Sequence, residues 1–311
     1  METPHVRLRR VRLLALLLAA LSMLIVLVSA YIRLNGAGLG CAPWPECYGQ
    51  ILSGGPHPHA GGVRVLHRVA ASLALFIGFG LLWHCLRPEP LPGPKHSAGA
   101  LLALMILLTV VGVFSADPHR VWAGVINMLG GALLVLLSWR TALAARSERP
   151  PTGARRGTGL IHAGLGFLML TLFLGALIGA RYAAPACPAL PGCGESAWPA
   201  VDGLAALNPI ATVNAPALLG DAGGAALHLL HRVCALATLL LLGLGAIRGL
   251  VQAEARAIAA TVLALLLVQF ALGVLTVLGG FALWLAVAHS VGAAVLLAAA
   301  MHLLLRLRGR A

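Results

Sequence analysis

The chain has 311 residues, of which only 10% are charged and 60% are apolar. This composition excludes an ordinary soluble domain, in which about a quarter of the residues are charged. The 22 Lys and Arg against 9 Asp and Glu give a formal net charge of +13, yet no basic stretch alternates with aromatic residues that could stack on bases. We therefore exclude nucleic-acid binding and expect a protein of the lipid bilayer whose charges lie between apolar spans.

Eight segments are apolar and long enough to cross a bilayer, which takes about 20 residues. In chain order they are 13–34, 65–86, 98–114, 121–139, 159–180, 224–247, 257–278 and 281–305. With a cytoplasmic N-terminus, 16 of the 22 basic residues fall on the cytoplasmic side, so the positive-inside rule places both termini there. The first span also resembles a signal peptide cleaved near Ala30, but its length and its later counterpart favour a retained helix.

The two halves of the chain repeat the same landmarks at a nearly constant separation. His67-Arg68 recurs as His231-Arg232 after 164 residues, and Asn127 matches His289 after 162. We therefore predict an all-α fold of two four-helix bundles related by a pseudo-twofold axis along the membrane normal. Residues 1–140 form the first bundle, 141–158 a cytoplasmic linker and 159–311 the second bundle.

The histidines inside or beside the spans are the first candidates for chemistry, because polar groups in a bilayer are costly. They are His67, His119, His228, His231 and His289. Of these, His231 and His289 lie at similar depth on two spans of one bundle and could hold the two axial positions of a haem iron. Arg232 could then pair with haem propionates. The alternative for each histidine is a hydrogen bond to a neighbouring helix.

The N-terminal bundle differs at the corresponding positions. His67 could ligate an iron, but Asn127 is a poor ligand, so the sixth position would be open or weakly occupied. This arrangement suits a substrate haem or a transferable haem better than a closed electron carrier. His119 lies about 12 Å further out along a helix than Asn127, and we do not expect it to contribute.

Four cysteines lie in outer loops, where disulfides persist. Cys41 and Cys47, like Cys187 and Cys193, are separated by six residues. A bridge within each pair could be a structural clasp or a redox-active thiol pair beside the haem site. Both alternatives stay open for the first pair, whereas the clasp is favoured for the second. Zinc is disfavoured because neither pair has the short spacing of a zinc site.

The first outer loop, from Arg33 through Cys41 and Trp44-Pro45 to Cys47, and the two His-Arg pairs resemble the haem A synthases of cytochrome oxidase assembly. The resemblance implies haem b held by His231 and His289. It implies haem O as the substrate in the N-terminal bundle, with His67 and Arg68 at the catalytic site. Such enzymes oxidise a ring methyl of haem O to a formyl group, with oxygen from water. Haem O synthase and oxidase assembly factors are the implied partners, and the bacterial inner membrane is the implied location.

Two residues depart from this family. A carboxylate one turn before the first His-Arg pair is replaced by Arg64, and the histidine of the fourth span is replaced by Asn127. The first change removes a proton acceptor, although Arg64 could bind a propionate. Two hypotheses follow: a divergent haem A synthase, or a non-catalytic haem b membrane protein that carries electrons or delivers haem during oxidase assembly.

Overall fold

A computed structural model describes residues 4–39, 48–54, 61–146, 158–193 and 201–309. These residues form eight long α-helices and three short 3₁₀ turns, and they contain no β-strand beyond one isolated bridge between Arg120 and Thr212. The helices are α1 (Pro4–Ala37), α2 (Gly61–Leu86), α3 (Lys95–Phe114), α4 (Val121–Ala144), α5 (Gly159–Ala180), α6 (Ala222–Leu250), α7 (Arg256–Leu278) and α8 (Leu283–Leu307). The 3₁₀ turns are Gln50–Ser53, Ala184–Ala186 and Val201–Leu207.

All eight predicted spans are confirmed, since each helix is long and apolar enough to cross a membrane. The chain is thus a multi-pass membrane protein of the predicted all-α class. Some ends differ from the prediction. Helix α1 begins at Pro4, because arginines are good helix formers and extend the span. Helix α4 continues to Ala144, so residues 141–144 of the predicted linker are helical. Helix α8 begins after Phe281, whose positive φ of 60° interrupts the helix.

Contacts between the helices group them into the two expected sets. Helix α1 packs on α2 and α4, and α3 packs on α2 and α4, while α5 to α8 form the second set. Between the sets, α4 packs on α8, α1 on α8, and α5 on α4. A twofold axis beside the α4–α8 contact would produce this reciprocal pattern. The axis itself and the division into domains stay predictions.

Opposite helices within each set make few contacts with each other, as is usual in a four-helix bundle. In the C-terminal set, α6 packs on its neighbours α5 and α7 and only lightly on α8, which lies opposite. Helices α5 and α6 approach closely because Gly164 has no side chain: a Cβ there would lie 2.7 Å from the backbone nitrogen of Leu242. The space between opposite helices is where a flat ligand could lie in such a bundle.

Candidate haem site

His231 on α6 and His289 on α8, two opposite helices of the C-terminal set, face each other. Their ring centroids are 6.3 Å apart, and their planes are inclined at 67°. With metal–nitrogen bonds of about 2.0 Å, two imidazoles on opposite sides of one metal ion have centroids roughly 6 Å apart. Both side chains are half-buried. The pair brought together by the structure is therefore the predicted one, and its spacing fits axial ligation of an iron.

The ring of His231 is held in an orientation that suits ligation. Its Nδ1 lies 3.0 Å from the carbonyl oxygen of Thr171 on α5, so Nδ1–H donates to that oxygen and Nε2 is left bare. Gly175, one turn further along α5, leaves room for the ring, because a Cβ there would lie 3.2 Å from its Cε1. Helix α5 thus fixes both the tautomer and the position of this histidine.

His289 has a side-chain partner that the sequence analysis missed. Gln269 on α7 places its amide nitrogen 3.1 Å from Nδ1 and 2.9 Å from the carbonyl oxygen of His289. Gly273 on the same helix leaves room for this ring, since a Cβ there would lie 3.1 Å from Cε1. The signal that could have found Gln269 is its polarity, because an amide within an apolar span is costly unless it has a task.

Arg232 is fixed on the outer loop that follows α5. Its guanidinium donates to the carbonyl oxygens of four loop residues at 2.8 to 3.1 Å. They are Cys187, Ala189, Pro191 and Gly192. The side chain therefore ties the loop to the helix that carries His231. Its predicted pairing with a haem propionate stays a prediction.

The same loop is closed by a disulfide between Cys187 and Cys193. This bridge confirms the predicted pairing of these two residues. Cys41 and Cys47 lie outside the described residues, so their pairing stays a prediction. Cys85 and Cys234 are buried free cysteines, as expected of small core residues.

The candidate site residues of the N-terminal set differ from those of the C-terminal set in their polar neighbours. His67 on α2 and Asn127 on α4 are half-buried, while Arg64 and Arg68 are exposed. The polar support of His289 has no counterpart here, because the position that matches Gln269 by the repeat is Leu108. The roles predicted for His67, Arg68, Arg64 and Asn127 stay predictions.

Two other candidate histidines make structural hydrogen bonds. Nδ1 of His119 lies 2.7 Å from the carbonyl oxygen of Val213 and so joins outer connections from the two halves. His228 is buried, with its Nε2 2.9 Å from the carbonyl oxygen of Ala183 and its ring against Phe281. Both therefore follow the alternative in which a histidine forms a hydrogen bond to a neighbouring segment instead of ligating a metal.

Two arginines of the outer half contact segments other than their own helices. Arg33 on α1 reaches α5, where a Cβ on Gly179 would lie 2.8 Å from its guanidinium. Nearby Tyr48 and Tyr182 pack edge to face at 6.2 Å. Burial raises the pKa of Tyr182 to about 12, so its hydroxyl group stays neutral near pH 7.

Arg181 lines an outer cavity of about 550 Å³ and donates to the carbonyl oxygen of Asn208.

The fold and the site together define a multi-pass membrane protein with a facing pair of intramembrane histidines. Residues 66–301 match the model of the COX15-CtaA family, described as cytochrome oxidase assembly protein, and the chain belongs to that family. This confirms the family resemblance seen in the sequence.

Three relatives illustrate the range of the similarity. A protein of Shewanella oneidensis named heme A synthase is 29% identical over 306 residues, which cover 89% of this chain and 90% of that protein. A heme A synthase of Symbiobacterium thermophilum is 33% identical over 88 residues, 28% of each chain. A protoheme IX farnesyltransferase of Thermus thermophilus is 30% identical over 164 residues, which cover 50% of this chain but only 26% of that protein.

Proposed function

We propose that this protein is a haem A synthase that converts the ring methyl of haem O to a formyl group with oxygen from water. The observation that carries the proposal is the similarity over 89% of the chain to a protein named heme A synthase. The overall change is R–CH₃ + H₂O → R–CHO + 4 H⁺ + 4 e⁻. The reaction therefore needs a place for the substrate, a route for electrons and acceptors for protons.

His231 and His289 are the residues that would hold haem b as a resident cofactor. When bound, haem b supplies one-electron redox chemistry and so a route for electrons to an external one-electron acceptor. The centroid spacing of 6.3 Å and the hydrogen bond of His231 to Thr171 support this assignment. Arg232 holds the loop above the site and contributes a cation near the outer surface.

His67 and Arg68 occupy the corresponding positions in the N-terminal set, where haem O would bind. His67 would hold the substrate in place, and Arg68, which is exposed, would pair with a carboxylate of the substrate. Arg64 is a second cation for that purpose. It cannot accept a proton near neutral pH, so we assign proton removal to water at this site.

A second function is favoured by Arg64 and Asn127. Without the carboxylate and histidine of its family, the N-terminal site could bind haem without oxidising it. The protein would then be a non-catalytic haem b protein that carries electrons or delivers haem during oxidase assembly.

The proposed location is the bacterial inner membrane, with both termini in the cytoplasm, because 16 of 22 basic residues then lie on that side. Haem O synthase is the proposed source of the substrate, and oxidase assembly factors are the proposed recipients of the product. A protein named for farnesyl transfer to protohaem carries a segment similar to half of this chain, which supports a link between the two steps.

The proposal is tested by expression in a host that makes haem O but no haem A. Extracted haems are identified by chromatography and mass spectrometry, with the His289→Ala variant as a control. We expect haem A, or its hydroxylated precursor, only with the unmodified chain. A folded protein that is loaded with haem b but yields neither product would overturn the proposed haem A synthase activity and would favour the second function.

A further inference from the structure

We propose that Gln269 is the positioning residue of His289, and that its amide oxygen accepts the Nδ1 proton when Nε2 of His289 holds the haem iron. The inference rests on the haem b site proposed above. It assigns a role to a residue of α7 that contacts neither iron nor substrate.

Gln269 is placed on His289 by two short contacts. Its Nε2 lies 2.9 Å from the carbonyl oxygen of His289 and 3.1 Å from Nδ1 of the ring. Its Oε1 is buried, and no described group donates a hydrogen bond to it. A buried acceptor without a donor is destabilising, so the amide is bonded at its nitrogen end only.

The chemistry of imidazole says which interaction that is. A neutral ring carries one proton, so a ring that ligates a metal through Nε2 carries it on Nδ1 and needs an acceptor there. His231 already has such an acceptor in the carbonyl oxygen of Thr171. His289 instead faces the amide nitrogen of Gln269, which is a donor and suits a ring whose Nδ1 is bare.

Rotation of the amide about its Cγ–Cδ bond exchanges its two ends. Oε1 then faces Nδ1 and accepts its proton, the bond to the carbonyl oxygen of His289 is given up, and the amide nitrogen takes the place beside Gly292. One hydrogen bond thus replaces another, and the proton that haem ligation places on Nδ1 decides which of the two forms. Both axial histidines would then donate to an oxygen, His231 to Thr171 and His289 to Gln269. An acceptor at Nδ1 increases the basicity of the ligating nitrogen and fixes the plane of the ring.

The surroundings of the amide differ between the two halves. Gly292 on α8 leaves room for it, because a Cβ there would lie 2.4 Å from Oε1. The repeat places Leu108 and Gly130 at the same two positions, and a Cβ on Gly130 would lie 2.4 Å from the Leu108 side chain. The half that has a histidine at this position of its fourth helix therefore has the glutamine beside it, whereas the half that has Asn127 has a leucine at the matching position.

Four variants of the full-length chain test the role, each purified with haem b. Gln269→Leu removes the acceptor, Gln269→Glu keeps an oxygen there, and Gly292→Ala displaces the amide. Gly130→Ala is the matched control, since it introduces the same crowding without touching the amide. The readouts are haem affinity, the low-spin electron paramagnetic resonance signal and the midpoint potential.

We expect Gln269→Leu to weaken haem binding about 10-fold or more, as is typical of lost partners of metal-bound histidines. Its midpoint potential should rise, because a less basic ligand stabilises the ferric state less. Gln269→Glu should retain haem with a lower midpoint potential, and Gly292→Ala should shift the resonance signal. Gly130→Ala should leave all three readouts of the haem b site unchanged.

The outcomes separate this role from the haem site itself. Unchanged affinity, resonance signal and potential in Gln269→Leu would overturn the positioning role and leave the site standing. If Gln269→Leu does not fold, the same three readouts in Gln269→Glu and Gly292→Ala test the positioning role. Unchanged readouts in both of these variants would also overturn that role. If the unmodified chain binds no haem b, both proposals fail together.

Discussion

The C-terminal and N-terminal helix sets share a scaffold but not the surroundings of their histidines. Both have four spanning helices and a His-Arg pair on the second helix. In the C-terminal set, His231 faces His289 and both rings contact polar groups. In the N-terminal set, Asn127 and Leu108 stand at the matching places. The comparison teaches that the two halves of a duplicated scaffold can keep the same helices and still differ in the polar partners that surround their histidines.

The largest expected effect separates the two sites by ligand removal. His231→Ala or His289→Ala should abolish the low-spin haem b spectrum, because the haem iron would lose one of its two proposed axial ligands. His67→Ala should leave that spectrum in place and abolish haem A formation. The measurements are the visible spectrum of purified protein and haem extraction. Equal loss of haem b in all three variants would contradict the division of roles.

The second prediction makes the N-terminal site resemble its family. Asn127→His combined with Arg64→Glu should leave the haem b spectrum unchanged and raise haem A formation. A general base contributes roughly 10²-fold or more to a rate, so the gain could reach that order. The single variants are the controls, and the Asn127→His change alone should have the smaller effect. Unchanged product formation in the double variant would show that these two residues do not limit the reaction.

The third prediction concerns helix packing in the two sets. Gly164 and Gly245 allow α5 and α6 to approach closely. The matching residue of Gly245 on α2 is Leu81, and Arg33 and Arg181 near the ends of α1 and α5, which are 148 residues apart, match Gly164 with Leu16. Gly164→Ala should reduce the free energy of unfolding by about 1–3 kcal/mol, as overpacking does. Gly166→Ala is the control, because no atom lies within 4 Å of its added Cβ. Thermal unfolding in detergent measures both, and equal melting temperatures would contradict the close approach.

The fourth prediction concerns the outer loop that the Cys187–Cys193 bridge closes. Loss of the Cys187–Cys193 bridge in Cys187→Ser should lower the free energy of unfolding by about 2 kcal/mol, by loop-closure entropy. It should also free the loop carbonyls that hold Arg232. As a second measurement, reduction of the unmodified protein with a thiol should produce at least the same loss. A melting temperature insensitive to both changes would contradict a stabilising bridge.

Much of the fold could be predicted because span length and repeat spacing depend on the sequence alone. The depth of His231 and His289 follows from position along two helices, and their pairing was therefore accessible. The contact of Gln269 with His289 was not, because it depends on how α7 rotates against α8. Likewise, Arg232 was predicted from its charge to contact propionates, but the position of its guanidinium depends on the folding of the loop at Cys187–Cys193.

The smallest expected effect is a difference between the α3–α4 and α7–α8 turns in how their hydrogen-exchange protection depends on pH. Asp117 in the α3–α4 turn accepts hydrogen bonds from the Arg120 side chain and the His119 backbone at 2.9 and 3.0 Å, and these lower the pKa of its carboxyl group. Because the folded pKa lies below the unfolded one, this stabilisation is present at pH 7 and is lost as the pH falls through the folded pKa. The α7–α8 turn at Gly279-Gly280 has no carboxylate and should not change. Protection factors from hydrogen exchange, corrected for intrinsic rates, should therefore fall in acid for residues 119–124 only, and Asp117→Asn should remove that dependence. The same acid response in both turns, or its persistence in Asp117→Asn, would show that the carboxylate does not hold the start of α4.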